Sequence, residues 1–286
     1  DTFESSSLAD GGQLIEKTSS KPLDITNFLN ETEKTAFEKL KSEFHIAYEG
    51  LEKEKEADKE DYDYLSSDMQ LVKYLRARNF NVEQSLEMIV ETLKWRKEYR
   101  PHLKYVDREA LQLEYGSGKM YIPKTFDKKG RPLIMMVPRL DNTGDEHAEA
   151  KVRYLSYIME EALCQCQTEL GVSKCVWIVD MTGMKVAMSH SLSITKACIN
   201  MLQNHYPESL GKAYFVNAPW LFSGLWRIIS PFIDPDTRAK ATFISGKPAA
   251  LFKKLKVDFE RDQLEISYGG TLDPHQVDLE SWLKEK

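Results

Sequence analysis

The feature that most constrains this chain is a change of hydrophobic period at Gly116. Before it, apolar residues recur every three or four positions. Phe37, Leu40, Phe44 and Tyr48 form one such stripe, and Leu71, Tyr74 and Leu75 belong to a second. Leu86, Ile89, Val90, Leu93 and Trp95 form a third, closed by Pro101. That spacing buries one helix face at a time and predicts a small all-helical lobe over 31–115. After Gly116, short apolar runs alternate with helical stretches. The runs Met120–Ile122, Leu133–Val137, Val176–Val179, Ala213–Val216 and Ala241–Ile244 read as strands. Helices are expected near Val152–Gln167 and Ser191–Gln203. Strands separated by helices predict an α/β domain with a mostly parallel or mixed sheet. Two of the runs are apolar on both faces, so both sheet faces should be covered there. The expected organisation is a loose tail over 1–30, the lobe over 31–115, the α/β domain over 116–275, and a helix or tail over 276–286. Within the lobe, the charged stretch from Glu49 to Asp63 reads as a solvated helix end or loop.

Charge is unevenly spread. Residues 1–68 carry 18 acidic and 8 basic side chains, and the remainder carries 27 and 31. The larger part is therefore mildly cationic, which suits an anionic ligand or a transient stop at an anionic membrane. Solvated surface charge would look the same. No basic block speaks for nucleic acid. Cys164, Cys166, Cys175 and Cys198 include no CxxC pair and read as buried free thiols of a reducing compartment. No apolar run reaches the ~18 residues of a membrane span, and no signal-peptide pattern is visible.

GxxxxGK[ST], GxGxxG after a strand, GxSxG and HExxH are all absent, and the six histidines show no metal-ligand spacing. Gly116-Ser117-Gly118-Lys119 resembles half a phosphate loop but reads as a turn. The unusual segment is Pro219–Phe232. Leu221, Leu225, Ile228 and Phe232 form one helical stripe, and Trp220, Phe222, Trp226 and Ile229 fill most of the rest. It is too short to cross a bilayer and too apolar to lie exposed. It reads either as a core helix or as a lid between a cavity and lipid, with Gly224 and the flanking prolines permitting movement. Asp234 and Pro235 read as the cap and first residue of another helix. Asp234 should compete with an anion for the free amides there, leaving any phosphate to Thr237 and Lys240 side chains.

Several motifs fall in a familiar order. They are Leu75-Arg76-Ala77-Arg78-Asn79-Phe80, Lys94-Trp95-Arg96, Gly130-Arg131-Pro132, His205-Tyr206-Pro207-Glu208-Ser209-Leu210-Gly211-Lys212, Val216-Asn217-Ala218-Pro219, Pro231-Phe232-Ile233-Asp234-Pro235 and Tyr268-Gly269-Gly270. Across 65–275 the chain resembles the CRAL-TRIO lipid-transfer family, and within it the phosphatidylinositol-transfer branch. The resemblance implies a helical lobe, an α/β domain with an internal lipid cavity, and a gate helix at Pro219–Phe232. It implies a non-enzymatic carrier of phosphatidylinositol, cytoplasmic, monomeric and transiently bound to membranes, without cofactor or metal. It places the headgroup on Arg78, Glu208, Thr237 and Lys240. Arg and Lys would neutralise phosphate, Thr would donate a hydrogen bond, and Glu would accept from ring hydroxyls.

Two departures matter. Asn79 stands where a cation is common. The positions that surround choline phosphate in relatives are here Ile122, Ile134, Cys175 and Trp177, none a good phosphate donor. A buried phosphate without partners costs several kcal/mol. The expected second ligand is therefore uncharged, such as a sterol, rather than phosphatidylcholine. A carrier of a sterol or isoprenoid alone, and a lipid hydrolase without a recognisable motif, are the alternatives.

Overall fold

The computed structural model describes residues 24–103, 108–184 and 191–284. The first 23 residues of the expected tail thus lie outside the described residues. From Asp24 onward the tail is docked: Leu29 is buried and Ile25 packs beside it on the helical lobe, while Phe28 is exposed.

Helix α1 (Glu31–Lys53) starts at a reciprocal cap. The Glu33 amide donates to Asn30 Oδ1 at 3.0 Å, and the Asn30 amide donates to Glu33 Oε2 at 2.9 Å. This satisfies two donors that the first turn leaves unpaired. Phe37, Leu40, Phe44, Tyr48 and Leu51 then bury one stripe against α3 (Asp68–Ala77) and α4 (Val82–Tyr99). Helix α4 is capped by Asn81 and stops at Arg100, in the left-handed region just before Pro101.

The stretch expected to be solvated is only partly so. Helix α2 (Lys59–Leu65) crosses it, and Asp61 is buried. Arg96 of α4 is the reason. Its Nε donates to Asp61 Oδ1 at 2.7 Å, and its Nη1 donates to Glu160 Oε1 at 2.6 Å. The guanidinium also lies over the Tyr64 ring, and Tyr206 donates to Glu160 at 2.8 Å. Glu160 belongs to α6, so this buried triad joins the helical lobe to the rest of the chain. Local charge density cannot reveal a partner 35 residues away.

Helix α5 (Arg108–Gly116) packs through Leu111 in the cluster formed by α6 (Ala148–Leu163), which Trp95 of α4 also joins. Five strands follow in spatial order β1 (Met120–Tyr121), β2 (Leu133–Met136), β3 (Cys175–Asp180), β4 (Leu210–Val216) and β5 (Ala241–Ile244). β1 is antiparallel to β2, and the other neighbours are parallel. The parallel strands are joined by α6 (Ala148–Leu163), by α7 (Leu192–His205), and by α8 (Phe222–Ile229) with α9 (Pro235–Ala239). Strand order runs one way across the sheet. Crossovers of a single hand then place every connecting helix on the same face.

The opposite face is covered by the C-terminal part instead. Leu251 and Leu255 of α10 (Pro248–Leu255), with Phe259, Leu264 and Tyr268, seal Leu133, Met135, Val176, Ile178, Tyr214 and Val216 completely. The turn after it relies on glycine. A Cβ on Gly270 would lie 1.8 Å from the Leu264 carbonyl oxygen, and Gly269 has φ +81°. The last helix, α11 (Leu279–Lys284), returns across the helix-covered side, where Trp282 stacks on Tyr115.

Candidate functional site

Three parallel strands begin at one edge of the sheet. Lys174 immediately precedes β3, Glu208 and Ser209 precede β4, and Lys240 precedes β5. Register sets the β3 start level with the β4 start, Cys175 opposite Leu210, and the β5 start three residues farther along, Ala241 opposite Ala213, so the Lys240 side chain reaches back to Glu208. Glu208 therefore lies between two lysines. Lys174 Nζ is 2.5 Å from Glu208 Oε2, and Lys240 Nζ is 3.7 Å from Oε1. Half-burial pushes the Glu208 carboxyl up, but the Lys174 hydrogen bond and the charges of Lys174, Lys240 and Arg76 outweigh it and hold the carboxyl below its usual value. Glu208 also has φ +52°, a backbone state uncommon outside glycine.

Helix α3 ends on this edge. Lys73 and Arg76 are three residues apart and share one helix face. Lys73 is buried. Its ammonium donates to the Ser173 carbonyl at 2.6 Å and to Ser209 Oγ at 3.3 Å. It thereby ties the residue before Lys174 to the residue after Glu208. Burial pushes the Lys73 ammonium down to about 8.

Of the four headgroup residues expected from the resemblance, Glu208 and Lys240 are brought into contact. Thr237 lies on α9, and its carbonyl accepts the Lys240 amide at 3.1 Å. Asp234 caps α9 as expected, accepting from the amides of Asp236 and Thr237 at 2.9 and 3.0 Å, so those amides are occupied. Arg78 closes α3 and donates to the Ala77 carbonyl at 3.1 Å. Two helical positions separate it from Arg76, which turns the two arginines to different sides. The charge of Arg76 helps hold the Glu208 carboxyl below its usual value. Lys174, Arg76 and Lys73 are the residues that sequence reasoning missed. The signal available for Lys174 was its place directly before a strand parallel to the one that Glu208 precedes.

The helix-covered face of the sheet is unevenly filled. At its α5–α6 side, Ile134 and Cys175 are buried completely among Leu111, Tyr154, Ile158 and Tyr206. These two expected pocket residues are packed against protein. Burial drives the Cys175 thiol up to about 12, and all four cysteines are free. Ile122 and Trp177 join the same cluster but keep accessible surface. So do Met136 and Phe215 farther along the same face, and Phe243 is exposed. On the opposite face Leu133, Met135, Val176, Ile178 and Val216 are fully buried. A central-strand tryptophan retains such surface only where the covering helices stand off the sheet.

Helix α8 borders that opening. Phe222 is buried against Phe215 and Phe243 at ring separations of 6.0 and 6.2 Å, with Trp226 and Leu225 beside it. The outer side is bare: Trp220 is 82% exposed and Ile228 56%, with Leu221 and Phe232 also exposed. Lys196 of α7 lies 4.2 Å from the Phe232 ring centre. The expectation that this segment is too apolar to lie exposed is thus overturned. One face packs inward and the other presents Trp220, Leu221, Ile228 and Phe232 to solvent. Among the described residues, no helix is long and apolar enough to cross a membrane, and no group of His, Cys, Asp and Glu is arranged to hold a metal ion.

This architecture matches known proteins. The sequence pattern of the CRAL/TRIO domain matches residues 115–270, and that of the CRAL/TRIO N-terminal domain matches residues 31–91. The chain is 31% identical over 205 residues to the CRAL-TRIO domain-containing protein C23B6.04c of Schizosaccharomyces pombe, covering 71% of this chain and 19% of that protein. It is 32% identical over 212 residues to the phosphatidylinositol transfer protein PDR17 of Saccharomyces cerevisiae, covering 71% of this chain and 57% of that one. It thus spans less than two thirds of either relative's length. The crystal structure of Sfh5 superposes with a TM-score of 0.66 at 22% identity, over 87% of this chain and 90% of that one, and so shares the fold. On sequence pattern and architecture together, the chain belongs to the CRAL/TRIO domain family.

Proposed function

We propose that this protein binds one phospholipid, phosphatidylinositol, and moves it between membranes without making or breaking a bond. The observation that carries the reading is the accessible apolar floor of Trp177, Met136 and Phe215 beneath helices, bordered by α8. The seven residues of β4 span roughly 20 Å, against about 15 Å for one leaflet of a bilayer core. An acyl chain laid along that floor would keep its ester end within reach of the strand-start edge. There Lys240 and its neighbours would meet the phosphate, and Glu208 would accept from inositol hydroxyls.

Enclosure is a physical requirement for such a carrier. Two acyl chains hold about 30 methylenes, and exposing them to water would cost about 25 kcal/mol. Helix α8 suits the entrance, since its bare strip can meet lipid while Phe222 and Trp226 face inward. The same apolar surroundings of Ile122 and Trp177 support an uncharged second ligand, such as a sterol, over phosphatidylcholine. A carrier restricted to a sterol or isoprenoid is the second reading, favoured by that cluster alone.

The test is transfer of labelled phosphatidylinositol from donor to acceptor vesicles by the full chain and by Lys240→Ala and Glu208→Ala. Both variants should lose transfer while their circular dichroism and melting temperature stay near wild type. Retained transfer in both folded variants would remove the headgroup assignment, and absence of transfer by the wild-type chain would leave the apolar-ligand reading.

A further inference from the structure

The strand-start edge carries more positive charge than a single phosphodiester can neutralise. Lys174 and Lys240 hold opposite oxygens of Glu208, and Arg76 lends a third positive charge. Three cations against one carboxylate leave an excess of two. The side chains of Lys174, Glu208 and Lys240 are only 31%, 25% and 22% exposed, so water screens that excess incompletely. Lys73, buried behind them, lies on the same side of the balance.

The geometry points to Lys174 as the residue that sets headgroup preference, making the site select an inositol ring bearing a phosphomonoester over one joined only by its phosphodiester. This inference rests on the reading of that edge as the headgroup site.

The chemistry follows from charge and reach. A phosphodiester carries one negative charge and would leave one cation uncompensated. A phosphomonoester adds about 1.5 to 2 negative charges at neutral pH and three strong acceptor oxygens. Lysine suits the exchange, because its ammonium is a compact charge on a flexible stem with three rotatable donors. Lys240 remains on Glu208 when Lys174 turns to a ligand, so the carboxylate keeps a partner. Lys73 fixes the backbone on both sides: its bonds to Ser173 and Ser209 hold the residues next to Lys174 and Glu208. Lys174 therefore swings from a set point. A purely structural Lys174–Glu208 ion pair would lack any such preference.

The experiment is calorimetric titration of the full chain with three probes: dioctanoyl phosphatidylinositol, dioctanoyl phosphatidylinositol 4-phosphate, and tail-less inositol 1,4-bisphosphate. Wild type is expected to bind the 4-phosphate lipid about tenfold more tightly than phosphatidylinositol, the value of one charge-assisted hydrogen bond. Lys174→Gln should erase that ratio, and Lys174→Arg should restore it. Equal wild-type affinity for the two lipids overturns the inference and leaves the phosphatidylinositol reading standing. So does a Lys174→Gln variant that weakens both lipids alike. Affinity for the tail-less bisphosphate equal to that for the 4-phosphate lipid overturns it in favour of a free sugar phosphate. Binding of neither lipid overturns the headgroup reading itself, and the inference with it.

Discussion

Replacing Arg96 by methionine removes the one cation between Asp61 and Glu160 while keeping most of the side-chain volume. The arginine is 6% exposed, Asp61 2% and Glu160 13%, so the variant strands two carboxylates in a dry interface. Breaking a buried pair from one side costs about 3–5 kcal/mol, because the partner keeps its desolvation penalty and loses its compensation. Unfolding entropy of about 2.1 cal/mol/K per residue gives roughly 0.6 kcal/mol/K for a chain of this length, so the melting temperature should fall by about 5–8 °C. The triad joins α2, α4 and α6, so the loss should appear in the global transition. Adding Asp61→Asn to Arg96→Met should recover part of it, since one stranded charge is gone. Thermal and urea unfolding of the three variants provide the measurement. A loss below about 1 kcal/mol, the figure for an exposed ion pair, would refute the reasoning. So would strict additivity of the two substitutions.

Other outcomes follow from the same structure. Burial lowers the Lys73 ammonium to about 8. Between pH 8 and about 10.4 the unfolded chain therefore holds a proton that the folded chain has lost, and folding gains stability as pH rises. Relative to Lys73→Met, wild type should gain about 3 kcal/mol across that window, and a difference constant with pH would refute the burial account. Trp220→Ser combined with Ile228→Ser removes apolar surface that touches little protein, so the melting temperature should hold. Vesicle association should nonetheless fall by about tenfold or more in a flotation assay, since each side chain loses its transfer energy into lipid. Unchanged association would show that another surface meets the membrane. The loss of phosphatidylinositol transfer in Lys240→Ala and Glu208→Ala completes the set.

Much of the fold was legible before any coordinates. The β5 run Ala241–Ile244 and the cap at Asp234 were read at the residue, because β-branched runs and Asp-Pro pairs act locally. Strand ends were less so. β4 begins at Leu210 rather than Ala213, since Gly211 and Lys212 carry no apolar signal; Leu210 and Lys212 pair with β3 while the register skips Gly211. Asp61 read as solvent-facing for the same reason, its partner being far along the chain.

The site divides in the same way. Glu208 and Lys240 could be named from motif order. Lys174 could not, because nothing in its neighbours marks it. It joins the site because register sets the starts of β3 and β4 side by side, Cys175 opposite Leu210, which brings Lys174 onto Glu208. The docking of α3 is likewise tertiary: Lys73 bonds Ser173 and Ser209, residues about 100 or more positions away along the chain. Sequence by itself determined the strand runs, the longer helices between them and the family, since period, caps and motif spacing are properties of nearby residues. Only tertiary structure decided which charges meet and where the sheet is left open. Those depend on contacts between segments far apart in the chain, and on how closely the helices sit on the strands.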